Sequence, residues 1–237
     1  MMAAMPGPAK NASHDISTLN EKPLHAGLKR HISRAYDEHE VLVDGFLIDI
    51  VRGDLLIEIQ TRNFSAIRRK LTTLVAGHRV RLVHPIACDR WIVRESPDGR
   101  KRLGRRRSPK HGAVENIFEE LVSIPALMAD ANFSLEVLIT REEEVRRQGG
   151  VRAWRRRGWS VHVRRLLDVV ESHTFETPAD LAALLPDGLP EPFTTADLAA
   201  GLARPRPLAQ AMAYCLREMG AVRAVGKKGN AILYTAR

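Results

Sequence analysis

Apolar positions alternate with polar ones most clearly between Glu40 and Gln60, E-V-L-V-D-G-F-L-I-D-I-V-R-G-D-L-L-I-E-I-Q. A period of two predicts strands, and Asp44-Gly45 and Gly53-Asp54 are two-residue hairpin loops between them. With those loops, Val43 faces Phe46, Glu40 faces Asp49, Arg52 faces Leu55 and Asp49 faces Glu58. Opposed residues of an antiparallel pair share a face. Glu40, Asp49 and Glu58 therefore fall in one row across three strands, with Gln60 two residues along. Ile48, Ile50, Ile57 and Ile59 take the other face as core.

Helical spacing frames this meander. Pro23 to Tyr36 is expected as a helix with the stripe Leu24, Leu28, Ile32 and Ala35. His25 and Lys29, one turn apart, are expected on its solvated face. A second helix is expected from Phe64 to Gly77, capped by Asn63 or Ser65, with Arg68, Arg69 and Lys70 one turn in. Arg79–Ile86 and Trp91–Arg94 are expected as strands, Ala113–Met128 as a helix that Pro125 breaks or bends, and Phe133–Thr140 as a further strand. His84 and Cys88 are read as strand-end residues and not as ligands.

Like charges directly opposed across strands repel at a Cβ separation of about 4.5–5.5 Å. A row of three acids is more readily kept if a cation sits in it, and hard divalent ions take one or two carboxylates plus water and substrate phosphate. Asp49, then Glu58-Ile59-Gln60 after a hairpin, resembles the PD-(D/E)XK, or restriction-endonuclease-like, nuclease superfamily. The resemblance spans roughly residues 20–140 and also rests on element order. It implies a mixed-sheet α/β core, a magnesium or manganese ion held by Glu40, Asp49 and Glu58, and hydrolysis of DNA. Gln60 stands where that family usually has lysine, and Lys70 is the candidate for a lysine migrated to the following helix. The family often places a polar residue from the first helix at the site edge, which makes His25 a further candidate. Arg68 and Arg69 are candidates for holding a phosphate.

The remaining chain is more basic. Arg100–Lys110 has seven Lys or Arg in eleven residues, a run expected as a loop, with Arg105, Arg106 and Arg107 as candidate backbone contacts to nucleic acid. Residues 142–159 are expected as a basic linker around Gly149-Gly150. Beyond it, Val161–Glu171 has the helical stripe Val163, Leu166, Leu167 and Val170. Thr194 is expected to cap Ala196–Leu202, a helix from Pro205–Pro207 runs to Met219, and two strands close the chain. Helix, helix, turn, helix, basic hairpin over residues 160–237 resembles a winged helix-turn-helix domain. That resemblance implies Arg206, Gln210, Tyr214 and Arg217 in a DNA groove, and Lys227 and Lys228 on its phosphates.

Composition narrows the classes. The 237 residues carry a net charge of +9 and 44% apolar residues, and a pI near 10.1 favours an anionic partner such as DNA. Two distant cysteines suit a reducing, cytoplasmic setting and give no zinc spacing. No apolar run approaches the roughly 20 residues of a membrane span. Residues 1–20, rich in Ala, Pro, Ser and Asn, are expected to be disordered. Enzymes that cut both strands often act as dimers, so a homodimer is a further expectation. The competing expectation is a DNA-binding regulator or sensor built on a degenerate nuclease fold.

Overall fold

The computed structural model describes residues 22–149 and 158–236, so the expected disordered segment falls outside the described residues. Among these, helix α1 (Pro23–Ile32) leads into strands β1 (Glu38–Val43), β2 (Phe46–Arg52) and β3 (Leu55–Ile59). The two turns set the register expected of them, with Val43 opposite Phe46 and Arg52 opposite Leu55. Asp44 and Gly45 both take positive φ, as a tight hairpin with right-handed strand twist requires. A 3-10 turn (Phe64–Ile67) and α2 (Arg68–Val75) then cross over to β4 (Arg79–Glu95), which runs parallel to β3.

The sheet continues through β5 (Arg102–Arg107), β6 (Phe133–Gln148) and β7 (Trp159–Phe175), in the order β1-β2-β3-β4-β6-β7 with β5 on β4. It is mixed: β6 is parallel to β4, and β7 is antiparallel to β6. Helix α1 covers one face, where Leu24 and Leu28 pack with Ile50, Ile57, Ile59 and Leu138. Helix α2 and short helix α3 (Phe118–Leu121) cover the other, where Leu71, Leu74 and Phe118 pack with Leu56, Leu82 and Leu135. Ile48 joins this second cluster and not the first.

Several expectations are corrected. Val161–Glu171 is strand and not helix, because its Val and Leu positions fit a period of 2 nearly as well as 3.6. Pairing along the whole of β6 decides for the strand, as tertiary context overrides propensity for β-branched runs. Residues 142–148 are likewise strand and not linker, 150–157 lie outside the described residues, and the sheet reaches past 160. The basic run at Arg102–Arg107 is an exposed strand whose charge is offset by acids on β4 and β6. The two short strands expected around Asp89 are one strand. Pro85 does not interrupt it: Gln60 N donates to Val83 O, so two residues on, the missing N–H faces the side where β3 has ended. The helix expected over Ala113–Met128 is broken into 3-10, α and 3-10 turns, and α1 stops at Ile32.

Short helices α4 (Pro178–Ala182), α5 (Thr195–Gly201) and α6 (Arg206–Glu218) follow, then the hairpin β8 (Val222–Lys228) and β9 (Ala231–Ala236). The Thr194 cap forms: its hydroxyl accepts from the backbone N–H groups of Ala196 and Asp197. Met212, Cys215 and Leu216 of α6 share an apolar core with Ile117, Phe118 and Leu121. Arg206, Gln210, Tyr214 and Arg217 are exposed, whereas Ala213 between them is buried. No helix among the described residues is long and apolar enough to cross a membrane.

Candidate functional site

The site forms where the β1–β3 meander passes between α1 and α2. The pairs Val41–Ile48 and His39–Ile50 flank the level of Glu40 and Asp49. Ile50–Ile57 is the last pair before Asp49 and Glu58. The row of acids thus sits at the levels that the two turns dictate. Each acid is met from outside the sheet. Lys29 Nζ donates to Glu40 Oε1 at 3.0 Å, and His25 Nε2 lies 3.2 Å from Asp49 Oδ2. These two α1 residues are not on a solvated face; their spacing of one helical turn lets each reach its own strand. Glu40 takes φ 55°, an αL conformation uncommon for a side-chain-bearing residue in a strand. Such an outlier persists where its surroundings over-determine it.

From the opposite face, Lys70 Nζ donates to Glu58 Oε2 at 2.5 Å and to the Leu47 carbonyl at 2.5 Å. Asp49 Oδ2 also accepts the Ile59 backbone N–H at 2.8 Å. The electrostatics separate the two acids. Burial opposes ionisation of Asp49, but the His25 hydrogen bond and charge, the Ile59 N–H and Lys70 together hold its pKa below the ordinary value. Burial and the neighbouring charge of Asp49 push Glu58 up to about 7, against the pull of Lys70. One carboxylate is kept charged beside another that is reluctant to ionise.

Gln60 does not join the acids through its side chain: Nε2 donates to the Asn63 carbonyl at 3.2 Å. Its own carbonyl lies 2.7 Å from His84 Nδ1. His84 is buried, packs edge-on against Phe64 at 5.0 Å between centroids, and has its pKa lowered by burial. It therefore sits as a neutral prop under the end of β3. It is a mid-strand residue and not a strand-end one; nothing in the sequence marked it except the His-Pro dipeptide.

The other expected residues lie elsewhere. Arg68 and Arg69 are exposed on α2. Arg105, Arg106 and Arg107 alternate along β5, with Arg105 stacked on Trp91 at 4.9 Å and Arg107 paired with Asp89. Lys227 and Lys228 are exposed on β8. Among the described residues, no group of three or more His, Cys, Asp or Glu side chains is placed to hold a metal ion. Asp49 and Glu58 remain as a neighbouring pair. Their oxygen donors fit a hard divalent cation that completes its shell with water and phosphate, and a cation there would relieve the repulsion that raises Glu58.

The fold and site define a mixed α/β protein with a pair of lysine- and histidine-braced carboxylates between two helices. Residues 22–176 match the family described as "Domain of unknown function (DUF8091)", and the chain belongs to that family. The match ends one residue past β7, at the end of the large sheet. The chain is 31% identical over 188 residues to a protein of Treponema pallidum (strain Nichols) described as "Uncharacterized protein", covering 78% of this chain and 73% of that one. No solved structure matches.

Proposed function

We propose that the protein is a metal-dependent nuclease of the PD-(D/E)XK type that hydrolyses DNA phosphodiester bonds. The observation that carries this reading is Lys70 reaching Glu58 from α2, beside Asp49. It gives the site two acids and a cationic amine although the third strand carries Gln60. The element order, an antiparallel meander followed by a helical crossover to a parallel strand, supports the same reading.

Asp49 and Glu58 would hold magnesium or manganese, with Glu40 at the edge of the site. When bound, the ion supplies Lewis-acid polarisation of the phosphate and a water of lowered pKa. Asp49 stays ionised under the His25 contact. Lys70 carries positive charge at the point where charge develops on the phosphate. Gln60, at the strand end that His84 props, would orient water or phosphate once its amide leaves the Asn63 carbonyl. Residues 178–236 would act as the winged-helix part, with Arg206, Gln210, Tyr214 and Arg217 towards the groove and Lys227 and Lys228 on the backbone.

Plasmid nicking with magnesium or manganese tests this. Wild-type nicking lost in Asp49→Asn, Glu58→Gln and Lys70→Ala, all folded, supports it; wild type inert with either metal overturns it. The second reading is a DNA-binding regulator on a degenerate nuclease fold. It draws on the Gln60 amide, which is engaged with Asn63 and not with the acids. DNA binding without metal affinity would favour it.

A further inference from the structure

The end of the large sheet away from the acids is built from Asp89–Glu95 of β4, β5, Arg141–Gln148 of β6 and the first half of β7. Two glutamates there are buried, Glu142 at 2% and Glu144 at 3% exposure, and the proposed chemistry uses neither. Buried carboxylates are rarely kept unless paired. Glu142 accepts from Arg90 at 3.1 Å, and Glu144 is paired with Arg146 at 2.6 Å and Arg164 at 3.1 Å. Burial disfavours the charge on Glu144, yet those two arginines hold its pKa below the ordinary value.

Register puts these groups on one face. Ile92 lies between Arg106 on β5 and Glu144 on β6, and Arg94, two residues along, lies opposite Arg146. Arg94 is stacked over Trp159 at 4.9 Å. Arg106 is exposed, and among the described residues its side chain donates to the neighbouring Arg107 carbonyl, at 3.4 Å. Ile92 beneath is buried but belongs to neither helix-covered core, as expected where arginine stems cover apolar surface and leave their heads in water. Arg105 and Arg107 alternate onto the opposite face, with Trp91 and Asp89.

Five arginines thus share one sheet face with two buried carboxylates, and three of them are paired with those carboxylates. Each guanidinium has five N–H donors in a rigid fork. Glu142 and Glu144 engage a minority of those donors and fix the orientation of Arg90, Arg146 and Arg164. The donors left over point to an acceptor-rich anion, because bidentate recognition of phosphate suits arginine in this state. The face itself carries five arginines against two glutamates, so it stays positive after its own acids are paired.

We propose that this face, Arg90, Arg94, Arg106, Arg146 and Arg164 over Glu142 and Glu144, is a preorganised binding platform for the phosphodiester backbone of a nucleic acid. The inference rests on the nucleic-acid part of the reading above and not on its cleavage chemistry. It adds a contact surface to those proposed at the acids and on the C-terminal helices and hairpin. Contacts of this kind position a duplex without reading its sequence.

The test is fluorescence anisotropy of the full chain with a labelled 20-bp DNA duplex and a matching RNA duplex. Chelator is present throughout, so cleavage plays no part. The double variant Arg94→Ala/Arg106→Ala touches only exposed side chains and leaves Glu142 and Glu144 paired. It is expected to bind at least about tenfold more weakly, with the slope of log K against log salt reduced by about two, since each phosphate contact on duplex DNA contributes roughly 0.9. Arg79→Ala, at the opposite end of β4 and 61% exposed, is expected to bind like wild type. Loss on one duplex only identifies which backbone the platform takes. Unchanged affinity and slope in the double variant on both duplexes overturns the proposal, as does an equal loss in Arg79→Ala. A wild type that binds but never nicks with added metal leaves the platform standing and removes only the nuclease reading.

Discussion

Lys70 Nζ stands 2.5 Å from Glu58 Oε2, joining the helix after the meander to the acid of its third strand. The contact crosses from α2 to a strand position two residues before Gln60. The amine therefore lies beside the acids although the strand itself offers only an amide. Lys70 is half-buried, and its second bond, to the Leu47 carbonyl, fixes it across β2 and β3.

Lys70→Met is therefore expected to lower DNA nicking by at least about 100-fold, the scale on which one preorganised electrostatic group acts. Lys70→Arg should retain more activity than Lys70→Met. The fold should persist, because Glu58 is already reluctant to ionise and can take up a proton in place of the amine. Nicking rates and circular-dichroism melts of the same samples check both parts.

Asp49→Asn removes the acid held ionised at the centre of the row. Calorimetric titration of manganese should show at least about tenfold weaker binding, with nicking abolished. His25→Ala should weaken both less, since Ile59 N–H still orients Asp49. Equal manganese binding in wild type and Asp49→Asn would remove the pair as a metal site.

Gly27 lets α1 approach β7: a Cβ added there would lie 2.9 Å from Leu166 Cβ. Gly27→Ala must displace one element, at about 1–3 kcal/mol as overpacking usually costs. Because α1 also carries His25 and Lys29, the variant should lose nicking activity as well as melting temperature. A variant with unchanged melting temperature would show that the close approach is not tight in solution.

Asp37 binds Arg52 through both carboxylate oxygens and accepts the Arg34 backbone N–H. The hydrogen bond to Arg52 leads in drawing its pKa down from 3.8 to about 2. The folded value is depressed, so the stabilisation is fully present above about pH 4 and is lost as pH falls towards 2. Asp37→Asn should lose about 1.5–3 kcal/mol at neutral pH, the scale of charged hydrogen bonds. The difference from wild type should shrink in urea melts repeated at successively lower pH. A difference constant from pH 7 to pH 2 would show that this ion pair does not supply the pH dependence.

Leu216 of α6 is fully buried in a core that includes Phe118 and Leu121. Leu216→Ala should cost about 2–5 kcal/mol. Calorimetry should show one transition that moves as a whole, because the helices after β7 share their apolar contacts with the sheet. Two transitions, of which only one moves, would instead separate residues 178–236 as an independent unit.

The sequence by itself determined the meander, its two tight turns and the row Glu40, Asp49 and Glu58. These depend on contacts a few residues apart and on the period-2 rule, both local. It also located Lys70 on the following helix and the Thr194 cap, for the same reason. Only the tertiary structure decided that Val161–Glu171 is a strand, since its apolar spacing suits either period until β6 is there to pair with it. Likewise, the basic run at Arg102–Arg107 becomes ordered strand only once Asp89, Trp91 and Glu143 lie beside it. Which acid each helix residue pairs with was hidden in the same way. His25 and Lys29 lie 24 and 11 residues from the carboxylates they meet, and His84 lies 24 residues from the carbonyl it props. Charge pairing and burial depend on distances in space, and a linear pattern carries those only where a turn or a helix has already closed them.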